Sequence, residues 1–147
     1  MVETKYVEST EQLVTEIVVR DIQRSARFYT QLGFKLHRDA GDFVELTWED
    51  HKLFITEISA FPEIATANTN KGNLVGSQLE PSMKFPNANI RVMVPNVDEY
   101  WKLSIMIGAR IVIPIGDRYY GLRDFIVADP DGFGVRFATM IEEHRHD

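Results

Sequence analysis

The sequence predicts an α+β fold built from two tandem β-α-β-β-β modules. Three observations carry that expectation. The first is an internal repeat: Asp21, Ile22, Leu32 and Gly33 match Asn96, Val97, Ile107 and Gly108 at a constant offset of 75. Such repeats mark units that stack to share a core. The second is a closing hairpin in each copy, where the offset becomes 81 if Asp50 is set against Asp131 and Phe54 against Val135. The third is the stretch between the copies, residues 59–87, which is rich in Pro, Asn, Ser and Gly and reads as a long connection.

The elements follow in order. Residues 1–12 are polar and read as an arm. LVTEIVVR, residues 13–20, is rich in β-branched residues and predicts a strand. Asp21 suits a helix N-cap, and Ile22, Ala26, Tyr29 and Leu32 recur at helical spacing until Gly33 ends the helix. Strands are expected at 34–38, 42–48 and 52–58, with a helical turn within Pro62–Ala67 of the connection. The pattern restarts with a strand at 89–94. A helix then opens at Asn96, where Glu99 stands at capping-box spacing, and Val97, Trp101, Ser104 and Ile107 line one face up to Gly108. Strands at 109–114, 122–128 and 133–140 complete the second copy, and 141–147 form a charged tail. In the last hairpin Asp129-Pro130-Asp131-Gly132 supplies the turn, proline presetting one backbone angle and glycine accepting a positive one. These bounds divide the chain into module one at about 13–58, a linker at 59–87 and module two at about 88–140, within one domain spanning 1–147.

Composition excludes several functions. A chain of 147 residues, 44% hydrophobic and 26% charged, is of ordinary globular character. The net charge of −6 argues against nucleic acid as a partner and suits a cationic ligand. With no cysteine, disulfides, thiolate catalysis and zinc-thiolate sites are out. No apolar run approaches a membrane span, and residues 1–12 lack a signal-peptide core, so a cytoplasmic protein is expected.

Strand alternation sorts side chains onto two faces. Ile17, Val19, Val44, Leu46, Trp48, Ile90, Val92, Val94, Val135 and Phe137 are expected against the helices. The opposite, mixed faces carry Glu16, Phe43, Glu45 and Glu57 in module one and Asn89, Arg91, Met93 and Arg136 in module two. Leu53 and Ile55 are assigned to the mixed face by the offset of 81. Solvated residues, or ion pairs such as Glu16 with Arg91, compete with a ligand-binding role for these groups.

The segment ADPDGFGVRF resembles the D-P-x-G-N-x-x-E signature of the vicinal-oxygen-chelate superfamily, which includes glyoxalase I, extradiol dioxygenases and bleomycin resistance proteins. Phe133 replaces its Asn, and Arg136 its metal-binding Glu. The resemblance implies that the modules form a curved mixed sheet around a cleft, the glyoxalase/bleomycin resistance fold. It also implies metal ligands at four positions, here Val14, Ile55, Asn89 and Arg136. Aliphatic groups cannot ligate, and arginine keeps its proton and repels cations. His37 and His51 read as surface residues, as do His144 and His146. The expectation is therefore no metal and no cofactor.

FITE at 54–57, VDEYWKL at 97–103 and RYYGLRDFIVADPDG at 118–132 are similar to segments of the metal-free bleomycin resistance proteins. On that likeness Tyr120 takes the place of a ligand-stacking tryptophan, and Phe43 that of a cleft aromatic, with Trp48 as further aromatic surface. The implied function is small-molecule sequestration in a homodimer, with ligand contacts from Glu16, Phe43, Glu45, Glu57, Asn89, Arg91, Met93, Tyr120 and Arg136. The glutamates suit cationic groups, and the arginines a carboxylate or phosphate, so an amphoteric ligand is equally open. The alternatives are a metal-dependent glyoxalase-like lyase, isomerase or dioxygenase, and a regulatory module with the linker as partner surface.

Overall fold

A computed structural model describes residues 12–61 and 85–141. The arm, most of the linker with its Pro62–Ala67 turn, and the tail with His144 and His146 lie outside the described residues. The chain divides into two compact units, residues 1–79 and 80–147.

Unit one runs β1 (Thr15–Val19), α1 (Ile22–Gln31), β2 (Lys35–Asp39), β3 (Phe43–Trp48) and β4 (His51–Glu57), then a short 3-10 turn at Ile58–Ala60. Unit two runs β5 (Asn89–Met93), α2 (Val97–Met106), β6 (Arg110–Asp117), β7 (Leu122–Ala128) and β8 (Gly134–Met140). Each sheet has the same order, β1-β4-β3-β2 and β5-β8-β7-β6. The first and last strands of each unit pair in parallel and the others antiparallel. The expected tandem β-α-β-β-β architecture, with mixed sheets, is thus the one observed.

The offset of 75 holds through both helices, but the closing strands differ from expectation by one residue. Ile17 pairs with Ile55, and its repeat equivalent Val92 pairs with Phe137, an offset of 82 rather than 81. The cause is turn length. Trp48 pairs with His51 around the two-residue turn Glu49-Asp50. The backbone of Asp129 instead bonds to that of Phe133, at 2.8 Å, around three residues. Matching the two turns through their aspartates slips the register by one, and a one-residue slip exchanges the faces of a strand.

Leu53, Ile55 and Glu57 therefore lie on the helix side, not on the mixed face; Leu53 and Ile55 are buried there. Phe54 and Thr56 take the mixed face instead. Glu57 serves the helix start, its Oε2 accepting from the Ile22 amide of α1 at 3.2 Å. The equivalent residue in unit two, Thr139, does the same for the Val97 amide at 3.0 Å. In both units the last strand thus satisfies a helix-start donor that has no partner within its own helix.

Asp21 caps α1 as expected, its Oδ1 accepting from the Arg24 amide at 3.2 Å. Asn96 makes no such side-chain bond. The expected capping box with Glu99 does not form among the described residues: the Glu99 amide bonds to the Asn96 backbone carbonyl at 3.3 Å, not to its side chain.

The cores exchange a large and a small residue. Ser25 and Tyr29 on α1 match Tyr100 and Ser104 on α2. In unit one the buried Tyr29 packs edge-on against Phe28 and Phe34. In unit two Tyr100 stacks on Phe137 at 4.8 Å, which in turn stacks on Phe125. Ser104 is left buried, its hydroxyl without a hydrogen-bond partner among the described residues.

Candidate functional site

In unit two the mixed face gathers polar side chains around one carboxylate. Register pairs Arg91 with Arg136 across β5 and β8, Arg136 with Ile126, Ala138 with Asp124, and Asp124 with Gly116. The turn joining β6 to β7 then folds Arg118 and Tyr120 back onto the face. Arg118 and Leu122 bond through their backbones at 2.7 Å, and Gly121 takes a positive φ of 91° that a side chain would disfavour. Gly116 leaves room for the returning arginine, because a Cβ there would stand 3.2 Å from Arg118 Nη1.

Asp124 is almost completely buried and accepts from three side chains. Arg118 Nε donates to its Oδ1 at 2.7 Å, and the Tyr120 hydroxyl to its Oδ2 at 2.9 Å. Arg136 donates to Oδ2 through Nε, at 2.9 Å, and through Nη2. Arg136 Nη2 also donates to the Tyr120 hydroxyl at 2.6 Å, and its guanidinium lies 5.4 Å from the centre of the Tyr120 ring. Arg118 is further held by the Pro114 and Asp124 carbonyls.

The electrostatics follow from this arrangement. Burial pushes the Asp124 carboxyl up, but the bonds from Arg118, Arg136 and Tyr120 together outweigh it and hold the group below the ordinary carboxylate value. Burial first, and then the bond to Asp124, push the Tyr120 hydroxyl above its usual value. Beside this face Arg123 clamps Asp98 with two bonds of 3.1 and 3.0 Å and reaches Asp117 at 3.1 Å. That clamp ties the start of α2 to β6 and β7. The bond from Arg123 lowers Asp98, and Arg123 holds its own proton more firmly through Asp98 and then Asp117.

The mixed face of unit one is built differently. Phe43 and Phe54 meet edge to face at 5.1 Å, and the Arg38 guanidinium lies 5.3 Å from the centre of Phe43. Glu45 is buried, with Lys52 Nζ and His37 Nε2 each 3.4 Å from its Oε2. Glu16 is exposed and accepts from the Thr56 hydroxyl at 3.0 Å.

Of the residues singled out from sequence, Arg91, Met93, Tyr120 and Arg136 share the unit-two face with Asn89. Glu16, Phe43 and Glu45 share that of unit one, and Glu57 sits apart under α1. Tyr120 is 48% exposed and Tyr119 95%, so neither is consumed by packing of the turn. Trp48 packs on Phe34 at 5.0 Å and belongs to the core side. Sequence reasoning missed Asp124 and Arg118, although both stand within RYYGLRDFIVADPDG. An acid placed two residues before the apolar pair Ile126-Val127 on an otherwise buried strand was the available signal.

The four positions where the resemblance calls for metal ligands become Val14, Phe54, Asn89 and Arg136 once the register is corrected. Two apolar groups, one amide and one guanidinium do not fit a divalent ion, which needs several anionic or neutral donors. Among the described residues no group of three or more His, Cys, Asp or Glu stands close enough to hold a metal. No helix among them is long and apolar enough to cross a membrane.

Residues 11–137 match the family model described as the Glyoxalase/Bleomycin resistance protein/Dioxygenase superfamily. No curated protein matches the chain. Among solved structures, a glyoxalase/bleomycin resistance protein/dioxygenase family enzyme from Burkholderia phytofirmans PsJN is similar at 18% identity and TM-score 0.67, over 87% of this chain and 97% of that one. TioX from Micromonospora sp. ML1 is similar at 21% identity and TM-score 0.63, over 88% and 98%. The fosfomycin resistance protein FosX from Mesorhizobium loti is similar at 15% identity and TM-score 0.63, over 93% and 98%. At these identities the likeness speaks for the fold alone.

Proposed function

The chain belongs to the Glyoxalase/Bleomycin resistance protein/Dioxygenase superfamily, and on that premise we propose that it binds a small molecule without a metal ion. It acts by sequestration, in the manner of the proteins that hold an antibiotic or toxin without turning it over. The observation that carries this reading is the Arg136 guanidinium, standing where a metal-binding carboxylate is expected and engaged with Asp124. A divalent ion beside it would meet repulsion that the already neutralised Asp124 does not offset. Tyr120, half-exposed and with the Arg136 guanidinium over its ring, keeps aromatic surface beside that arginine against which a planar ligand group can pack.

The test is mass spectrometry of small molecules carried through native purification, with metal analysis on the same sample. A stoichiometric organic ligand and substoichiometric Ni, Zn, Fe and Mn are expected. Stoichiometric metal together with metal-dependent turnover would overturn this reading and establish a lyase, isomerase or dioxygenase. The homodimer implied by the resemblance is checked by light scattering at micromolar concentration, where a monomer that still holds ligand would rule it out.

A further inference from the structure

We infer that the mixed face of unit two carries an oxyanion site, in which Arg91 and Arg136 hold a carboxylate or phosphate group of the ligand beside the Tyr120 ring. The inference deepens the binding-protein reading above and rests on it for the ligand, though not for the site itself. Charge is the first support. Arg118 and Arg136 pair with a single carboxylate, Asp124, and Arg91 is the register partner of Arg136, so the three arginines and one aspartate leave two positive charges on one face of a protein whose net charge is −6. Such a patch runs against the bulk charge, and within the described residues of unit two Arg91 forms no ion pair.

Donor counting is the second. A guanidinium carries five N–H groups in a rigid fork. In Arg136, Nε and Nη2 are engaged by Asp124 and Tyr120, while Nη1 makes no hydrogen bond among the described residues. Its side chain is 19% exposed, so the remaining donors are reachable but already oriented. Geometry is the third. Arg91 and Arg136 are register partners on adjacent parallel strands, which stand about 4.8 Å apart. Side chains rooted at that backbone spacing on one face are near enough for the Arg91 fork to reach an anion held at the open Nη1 of Arg136, each donating to one of its oxygens. Asp124 acts as a positioning residue, fixing Arg136 through two donors without reaching the ligand.

The experiment is calorimetric titration of the intact protein with inorganic phosphate and, separately, with benzoate. The variants are Arg91→Gln, Arg136→Gln and, for a charge removed elsewhere, Arg24→Gln on α1. Saturable binding of at least one of the two anions is expected, and their relative affinity tells which headgroup the site prefers. Arg91→Gln, an exposed position that leaves the Asp124 network whole, should weaken it about tenfold, the scale of one charge-assisted hydrogen bond. Arg24→Gln should leave it unchanged. No saturable binding across the millimolar range, or equal weakening by Arg91→Gln and Arg24→Gln, overturns the site. A cationic molecule recovered from native purification, with neither anion binding, overturns the site but leaves the sequestration reading standing. Metal-dependent turnover with anion binding still sensitive to Arg91→Gln overturns that reading and supports the site.

Discussion

The two mixed faces stand on the same scaffold and are chemically opposite. At equivalent positions unit one has Glu16 and unit two Arg91; Phe54 faces out where Arg136 does, and Phe43 where Asp124 does. Unit one closes its face with an aromatic pair and a buried, compensated glutamate. Unit two closes its face with one buried aspartate shared by two arginines and a tyrosine. Both hold their helices alike, through Glu57 and Thr139. The repeat thus constrains what holds each unit together and leaves the mixed face free to differ, because strand alternation lets one face change without altering the set packed on the helix.

The sharpest way to break this comparison is to remove the charge at the centre of the unit-two face. Asp124→Asn leaves Arg118 and Arg136 partly buried without a counter-charge and should cost about 3 kcal/mol in urea denaturation. Phe43→Leu, at the equivalent place in unit one, keeps an apolar group and should cost under about 1.5 kcal/mol. Equal costs would show that the aspartate is an ordinary packing residue.

Acid should separate the same two faces. The folded-state value of Asp124 lies below the unfolded one, so its contribution is fully present above about pH 4 and is lost as pH falls through the lower, folded value. Asp124→Asn should therefore flatten the acid limb of the stability curve. An unaltered limb would place the acid sensitivity elsewhere.

The shared helix-start device is tested by Glu57→Ala and Thr139→Val, each expected to cost about 1 kcal/mol through loss of an acceptor for the first helical amide. A cost confined to one of them would mean that the two units are held differently after all.

Tyr120→Phe should lose about 1 kcal/mol, since its hydroxyl links Asp124 to Arg136. The folded-state value of Tyr120 is raised, so its contribution is present below about pH 10 and fades as pH rises through the folded value. Following phenolate absorbance during alkaline titration checks this, and a tyrosine ionising at its ordinary value would contradict the linkage. Smallest of all, Ser104→Ala should be neutral or stabilising by about 0.5–1 kcal/mol, because it removes a buried hydroxyl that has no partner among the described residues. A loss of stability there would mean that the hydroxyl does have one.

The sequence alone determined the repeat, the order of elements, both helix starts and the family, since each is written in local pattern: β-branched runs, the Asp21 cap, helical apolar spacing, glycines at Gly33 and Gly108, and the Asp-Pro-Asp-Gly turn. It also marked Arg91, Tyr120 and Arg136. Only the tertiary structure decided which way the last strand of unit one faces. The two-residue turn of unit one, one residue shorter than the turn of unit two, sets Phe54 outward and Glu57 under its helix, and alternation propagates that choice along the strand. Only the tertiary structure, too, brought Asp124 to Arg118, Tyr120 and Arg136, because these contacts are set by a turn folding back over a sheet, and the spacing of residues along a chain does not encode where a turn points its side chains.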